Sequence, residues 1–225
     1  AEDMKSVTVD YDKVLNNDDK FDAFFKSVTF TVTDNTNINI VLKRPFAQLN
    51  LGTTEGSLTN NAGTFKLKSS EIQVKGIADN FNTVSGFGTV AEANKEKVYT
   101  FKAVQDSEVS KSLPLDATIK VADVDYKYVS MDYLPIVGDD QALVTVKAEI
   151  TLDNNQVISH EFTNVPVREN YRTNIVGNLI SSTTDFVVTI EEGFVDENNN
   201  PNPDNDYFVV DNVGDAEDVF EDGET

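Results

Sequence analysis

Apolar side chains recur at every second position along much of this chain, which is the repeat of a β-strand with one buried face. The clearest example is a predicted hairpin of residues 142–152 and 156–162. Its turn contains Asn154 and Asn155, because Asn tolerates positive φ angles. The core-facing residues of its first strand are predicted to be Val144, Val146, Ala148, Ile150 and Leu152.

A change of phase marks residues 38–51. Apolar side chains occupy even positions in residues 38–42 and odd positions in residues 47–51, so a continuous strand needs an extra residue between them. We expect a bulge or bend at residues 43–46, because Pro45 cannot donate a hydrogen bond to a neighbouring strand. The bent strand would then serve both sheets of a sandwich.

The other predicted strands are short and separated by turn residues, which indicates an all-β, Greek-key sandwich. A second hairpin is predicted to turn at residues 122–125, and residues 86–88 and 163–172 are assigned to a turn and a connection. The strands are predicted at residues 6–11, 28–32, 65–68, 71–77, 80–83, 97–104, 118–121, 126–129, 173–179 and 185–191.

The chain is strongly acidic, with 39 Asp and Glu against 18 Lys and Arg and a net charge of −21. Residues 196–225 contain 11 of the acids and no Lys or Arg, so they form a distinct acidic tail. This negative charge argues against nucleic acid or an anionic membrane surface as a partner. No stretch is apolar over the roughly 18–20 residues that a membrane-spanning helix needs.

The sequence offers little that predicts catalysis. It has no Cys or Trp, and His160 is the only histidine, so a thiol nucleophile or an imidazole cluster is excluded. The paired acids at residues 139–140 and 191–192 fit solvated turns better than a glycosidase site, because strand neighbours point to opposite faces. The acidic loop 196–206 lacks the Gly and final Glu of an EF-hand, which favours a linker over a calcium site. We therefore predict no enzyme and no cofactor.

Four motifs in a fixed order resemble a known family. They are Leu-Lys-Arg-Pro-Phe-Ala-Gln-Leu-Asn at residues 42–50, Tyr-Val-Ser-Met-Asp-Tyr-Leu at 128–134, Phe-Thr-Asn-Val-Pro-Val-Arg-Glu-Asn-Tyr-Arg-Thr-Asn at 162–174 and Ile-Glu-Glu-Gly-Phe at 190–194. Together they look like the carboxy-terminal domain of the fimbrillin-like proteins of Bacteroidales, which are related to type V pilus subunits.

That resemblance implies a transthyretin-like β-sandwich and a non-catalytic role in pilus assembly or cell adhesion. It implies an exported protein of the cell surface or outer membrane, made as a lipoprotein precursor. Its partners would be other pilus subunits, or further copies of itself joined by β-strand addition, and a host or bacterial surface receptor. On this basis residues 1–36 are the end of a preceding β domain, residues 37–195 the fimbrillin-like domain and residues 196–225 an acidic linker or tail.

The arginines and prolines in these motifs are predicted to be structural. A guanidinium group can form paired hydrogen bonds to a carboxylate or to backbone carbonyls at a sandwich corner. Tyr171 is expected to bury its ring and bond its hydroxyl to a turn, as in other sandwiches. The predicted structural residues are Arg44, Pro45, Pro166, Arg168, Tyr171, Arg172 and Gly177.

The acidic tail contains one β-prone stretch, residues 207–213, followed by a predicted short helix at residues 214–223. Three interpretations remain open: a linker without fixed structure, a donor strand that completes a neighbouring copy's sheet, and the start of a further module. The residues assigned to strand exchange are Tyr207, Phe208, Val209, Val210 and Val213.

An alternative function is a surface module that binds a glycan or a peptide. The absence of Trp weakens the glycan option, because aromatic faces are common platforms for sugars, although tyrosines can replace it. The tyrosines considered for this role are Tyr99, Tyr126, Tyr128 and Tyr133.

Overall fold

A computed structural model describes residues 5–13, 22–31, 39–54, 67–104, 118–138, 141–180, 186–192 and 207–210 of the chain. A short 3₁₀ helix, Glu92–Asn94, precedes the sixth strand. The strands within these ranges are β1 (Ser6–Thr8), β2 (Ala47–Thr54), β3 (Leu67–Lys75), β4 (Asn80–Asn82), β5 (Phe87–Thr89), β6 (Val98–Val104), β7 (Thr118–Val121), β8 (Val124–Leu134), β9 (Gln141–Leu152), β10 (Val157–Arg168), β11 (Tyr171–Gly177), β12 (Phe186–Glu192) and β13 (Tyr207–Val210).

The strands form two large sheets and one small sheet. The order is β10-β9-β3-β6 in the first large sheet, β13-β12-β11-β2-β8-β7 in the second, and β1-β4-β5 in the small one. Neighbouring strands are antiparallel except β2 and β11, which run parallel. One core cluster joins residues of both large sheets, so they pack face to face. The predicted all-β sandwich is confirmed.

The hairpin of β9 and β10 is confirmed, including its turn, where Asn155 has a φ of 63°. Its second strand is longer than predicted, because β10 passes a bulge between Phe162 and Val165 and continues to Arg168. Pro166 is tolerated there because β10 is an edge strand, which among the described strands pairs only with β9. The residues predicted to face the core are all at most 1% exposed: Val144, Val146, Ala148, Ile150 and Leu152.

The strand predicted over residues 38–51 is only half correct. A bend lies at residues 45–46, inside the predicted break, but β2 begins at Ala47 and residues 39–42 belong to no strand. The backbone N–H of Arg44 donates to the side chain of Asn170, at 3.1 Å, and not to a neighbouring strand. Pro45 has no N–H to donate, so pairing stops before the bend.

The predicted strand at residues 28–32 is also wrong over its described part, residues 28–31. Val28 and Phe30 are 40% and 54% exposed, so their alternation does not bury a face. A strand requires a neighbouring backbone as well as an apolar pattern. The nearest pairing is an isolated bridge between Phe25 and Lys43.

Two turns differ from the prediction in position. The turn between β7 and β8 is Ala122 and Asp123 alone, both with positive φ, so β8 begins at Val124. Residues 86–88 are not all turn, because Gly88 lies in β5. A Cβ at Gly88 would lie 1.8 Å from the carbonyl oxygen of Ile136, so only glycine permits this approach.

The first strand joins the small sheet, where β1 pairs with β4 and Val7 lies opposite Phe81. Phe25 packs edge-on against Phe81, with ring centroids 4.9 Å apart. Described residues on both sides of position 36 therefore contact each other. A domain boundary at that position stays a prediction.

Candidate functional site

The motif residue Arg44 ties three parts of the chain together at one corner of the sandwich. Its Nε and Nη2 donate to the two carboxylate oxygens of Asp22, at 2.7 and 2.8 Å. Its guanidinium also lies over the ring of Phe24, 4.5 Å from the centroid. Asn170 accepts from the Arg44 backbone, and its own N–H donates to the carbonyl of Phe46 at 2.9 Å. The turn between β10 and β11 is thus joined to the entry of β2.

We predict that Arg44→Ala lowers the free energy of unfolding by about 1–3 kcal/mol, because it removes a paired, charge-assisted contact and leaves Asp22 half-buried without it. Urea unfolding measures the change. Lys95→Ala is the control, because its ion pair with Glu92 is mostly exposed and should contribute less than about 1 kcal/mol. Equal losses in the two variants would contradict a structural role for the corner.

The other motif residues lie on the strands that meet at this corner. The carbonyl of Pro166 accepts a hydrogen bond from the Thr173 hydroxyl at 2.8 Å, which links β10 to β11. Arg168 lies over the ring of Tyr171, 4.5 Å from its centroid.

Pro45 is half-buried at the bend. Gly177 ends β11 opposite Phe186 on β12 and Thr53 on β2, and Arg172 lies opposite Glu191. Their structural roles remain predictions.

A buried polar network crosses the face of the six-stranded sheet that points away from the core. The Asn50 side-chain amide donates to Asn174 at 2.8 Å, and the Asn174 amide donates to Glu191 at 2.9 Å. Burial raises the pKa of Glu191, and the positive charge of Arg172 and the hydrogen bond from Asn174 offset only part of that rise. Glu191 and Glu192 are the last two residues of strand β12. The predicted strand through residue 191 is therefore correct, and the interpretation of residues 191–192 as a solvated turn is wrong.

Asp132 is a buried acid that the sequence analysis did not single out. It lies opposite Leu49 on β2, so it shares the core-facing side of the sheet, and only 2% of it is exposed. Among the residues that the structure describes, no group forms a hydrogen bond of good geometry with either carboxylate oxygen of Asp132 or with the Ser130 hydroxyl, although Ser130 lies beside Asp132. Burial raises the pKa of Asp132 well above its usual value, and the nearby Ser130 offsets only part of the rise.

The single histidine has packing contacts. The Nε2 atom of His160 is 2.7 Å from the carbonyl oxygen of Leu179, and the ring packs edge-on against Phe186 at 5.0 Å. Over the described ranges, no group of three or more His, Asp and Glu side chains converges as a metal site would require. Residues 139–140 and the acidic loop 196–206 lie outside those ranges.

The acidic tail contributes a strand to the outer edge of the larger sheet. β13 pairs antiparallel with β12, with Val209 opposite Val187 and Phe208 opposite Val188. The first four residues of the β-prone 207–213 stretch form this strand, which pairs with β12 of its own chain. Val213 and residues 214–223 lie outside the described part of the chain.

Comparisons with known proteins place the chain in a family but give only distant structural likenesses. A sequence profile described as a family of unknown function (DUF6562) matches residues 1–215. No curated protein matches significantly. In the part of the chain that the structure describes, no helix is long and apolar enough to cross a membrane.

Two solved structures are similar over part of the chain. One is a protein provisionally assigned to cell adhesion, from Bacteroides ovatus, with 13% identity and a TM-score of 0.36; the match covers 69% of this chain and 47% of that one. The other is a fimbrial protein from Bacteroides vulgatus, with 9% identity and a TM-score of 0.28; the match covers 68% and 56%. This chain spans about half the length of both proteins.

Proposed function

We propose that this chain, which belongs to the DUF6562 family of unknown function, is a non-catalytic cell-surface protein with a structural or adhesive role. In the finer form of the proposal it is a fimbrial subunit or a fimbrillin-like surface lipoprotein of the outer membrane. The four ordered motifs at residues 42–50, 128–134, 162–174 and 190–194 support it. The proposed partners are other copies or other subunits, joined by β-strand addition.

The observation that carries this proposal is the edge of the six-stranded sheet. β13 covers the outer edge of β12 over four residue pairs, and residues 193–206 separate the two strands in the sequence. A short edge strand at the end of a long connection can leave its own sheet and pair with the same edge in another copy, because the backbone hydrogen bonds are equivalent. The β12–β13 pairing can therefore form within one chain or between two copies of the chain.

Cysteine cross-linking can distinguish these two arrangements, because the natural chain has no cysteine. Val187→Cys and Val209→Cys are made in separate chains, which are mixed at high concentration and oxidised. Val187 and Val209 are opposite each other in the β12–β13 register. If β13 pairs with a second copy, we expect disulfide-linked dimers in the mixture and not in either chain alone.

The control mixture combines Val209→Cys with Val157→Cys, an exposed position at the start of β10. The double variant Val187→Cys, Val209→Cys reports pairing within one chain. If it closes as a monomer while the mixed single variants give no more dimer than the control, strand addition between copies is wrong. Deletion of residues 206–225 should remove concentration-dependent light scattering and leave the monomer folded.

A further inference from the structure

A pocket of about 280 Å³ lies where three parts of the chain meet. The turn after β1 contributes Tyr11, the connection between β3 and β4 contributes Asp79, and the segment from the 3₁₀ helix into β6 contributes Asn94, Lys97 and Tyr99. These residues are distant in sequence and converge only in the fold. The residues that line the pocket all precede position 100, whereas β12 and β13 lie after position 185.

Two packed tyrosines form the floor of the pocket. The rings of Tyr11 and Tyr99 have centroids 4.0 Å apart, and the Tyr11 ring also packs edge-on against Phe101 at 5.8 Å. The Tyr11 hydroxyl donates to the carbonyl oxygen of Ala78. Burial raises the pKa of both tyrosine hydroxyls, and the charge of Asp79 adds to the rise, so both stay protonated at neutral pH.

Donors and acceptors are both present above this floor. One carboxylate oxygen of Asp79, Oδ2, accepts from the Asn94 amide and lies 3.5 Å from the Tyr99 hydroxyl. The other oxygen, Oδ1, accepts no hydrogen bond from the described part of the chain. The Lys97 ammonium group lies 4.9 Å from the centre of the Tyr99 ring. Asn80 also lines the pocket, and its amide donates one hydrogen bond to the Thr8 hydroxyl at 3.3 Å, which leaves a second N–H on the same nitrogen.

This mixture of groups selects among ligand classes. An anion would meet the carboxylates of Asp10, Asp12 and Asp79. A simple cation would meet the ammonium of Lys97 and would compete for Asp10 with Lys13, which already pairs with that carboxylate at 2.7 Å. A sugar hydroxyl both donates and accepts, so it can use a carboxylate, an amide and an ammonium group together. The volume is slightly below the roughly 300–1,000 Å³ of pockets for drug-sized ligands, which suits a single ring better than a peptide.

We propose that the pocket lined by Tyr11, Asp79, Asn94 and Tyr99 binds one uncharged sugar ring, such as the terminal residue of a glycan. The free oxygen of Asp79 accepts from ring hydroxyls, Lys97 and Asn80 donate to them, and the two tyrosines form the floor. This site does not depend on the proposed assembly through β13, because the two use different residues and can be tested separately.

The test is titration of the full-length, isotope-labelled chain with methyl glycosides of glucose, galactose, mannose, fucose and N-acetylglucosamine, followed by NMR. We expect at least one glycoside to shift amide signals of residues 8–12, 79–80 and 94–99. Asp79→Asn should weaken that binding by about tenfold or more, because it replaces a charged acceptor. Asp153→Asn, in the exposed β9–β10 turn, makes the same chemical change and should bind as the natural chain does.

Sialic acid and butylamine serve as the anionic and cationic probes. Binding of either at this pocket, with no response to any glycoside, would overturn the sugar assignment. Shifts confined to other parts of the chain would do the same, as would Asp79→Asn binding unchanged. Because the natural chain is the main subject of the measurement, a variant that fails to fold leaves the test intact.

Discussion

A chain carrying Ile150→Asp is expected not to fold. Ile150 is fully buried near the end of β9, opposite Ile158 on β10 and Ser70 on β3. An unpaired carboxylate there costs several kcal/mol, whether it stays charged or takes up a proton, against a total stability of roughly 5–15 kcal/mol. Circular dichroism at 25 °C should show loss of the native signal and no cooperative thermal transition.

Thr151→Asp is the matched control, since it adds the same group one residue along the same strand. Thr151 is half-buried and its side chain points to the opposite face from Ile150, so a carboxylate there reaches water. We expect a cooperative transition within a few degrees of the natural chain. If Ile150→Asp also melts cooperatively within that range, the assignment of the β9 inner face is wrong.

One physical reason explains why the β9–β10 prediction was correct and why the predicted strand at residues 28–31 was wrong. An alternating pattern states which side of a strand is apolar, whereas a strand forms only where a second backbone can pair with it. In the hairpin the partner is supplied locally, through the Asn154 and Asn155 turn. For residues 28–31 a partner must come from a distant part of the chain, which the pattern does not encode.

The sequence pattern also does not show which distant side chains will contact each other at the candidate site. The motif predicted a structural role for Arg44, but it did not select Asp22 as the partner among 39 acidic residues. Asn170 is even more distant, 126 positions along the chain from Arg44. The pocket of Tyr11, Asp79 and Tyr99 was likewise not predicted, because its residues converge from three separate connections.

Asp132 was overlooked for a different reason, which is local. Residues 129–133 alternate between apolar or aromatic side chains at odd positions and polar side chains at even positions, but the register between β2 and β8 shifts between Leu51 and Gly52. A bulge of this kind changes which residues face the core, and it leaves the carboxyl of Asp132 on the side of Leu49. An acid in a motif of otherwise apolar and hydroxyl side chains is the signal that could have drawn attention to it.

Asp132 should make the protein less stable as the pH rises. Its pKa is raised in the folded state, so between the unfolded and folded pKa values the folded chain holds a proton that the unfolded chain has lost. Stability from this group is therefore full below about pH 4 and falls by about 1.4 kcal/mol per pH unit above it, until the folded pKa is reached.

Asp132→Asn removes this titration, so the free energy of unfolding of the variant is expected to rise relative to that of the natural chain from pH 4 upwards, by about 1.4 kcal/mol per pH unit until the folded pKa is reached. Urea unfolding of both chains at intervals of half a pH unit measures the difference between their free energies of unfolding. The contributions of the other acids are the same in both chains and cancel in that difference. Asp125→Asn, exposed on the same strand, is the control, because it makes the same chemical change outside the core. If the difference for Asp132→Asn does not change with pH, or increases as the pH falls, the Asp132 carboxyl is ionised in the folded protein. That result would require a partner for the charge at the core-facing side of β8.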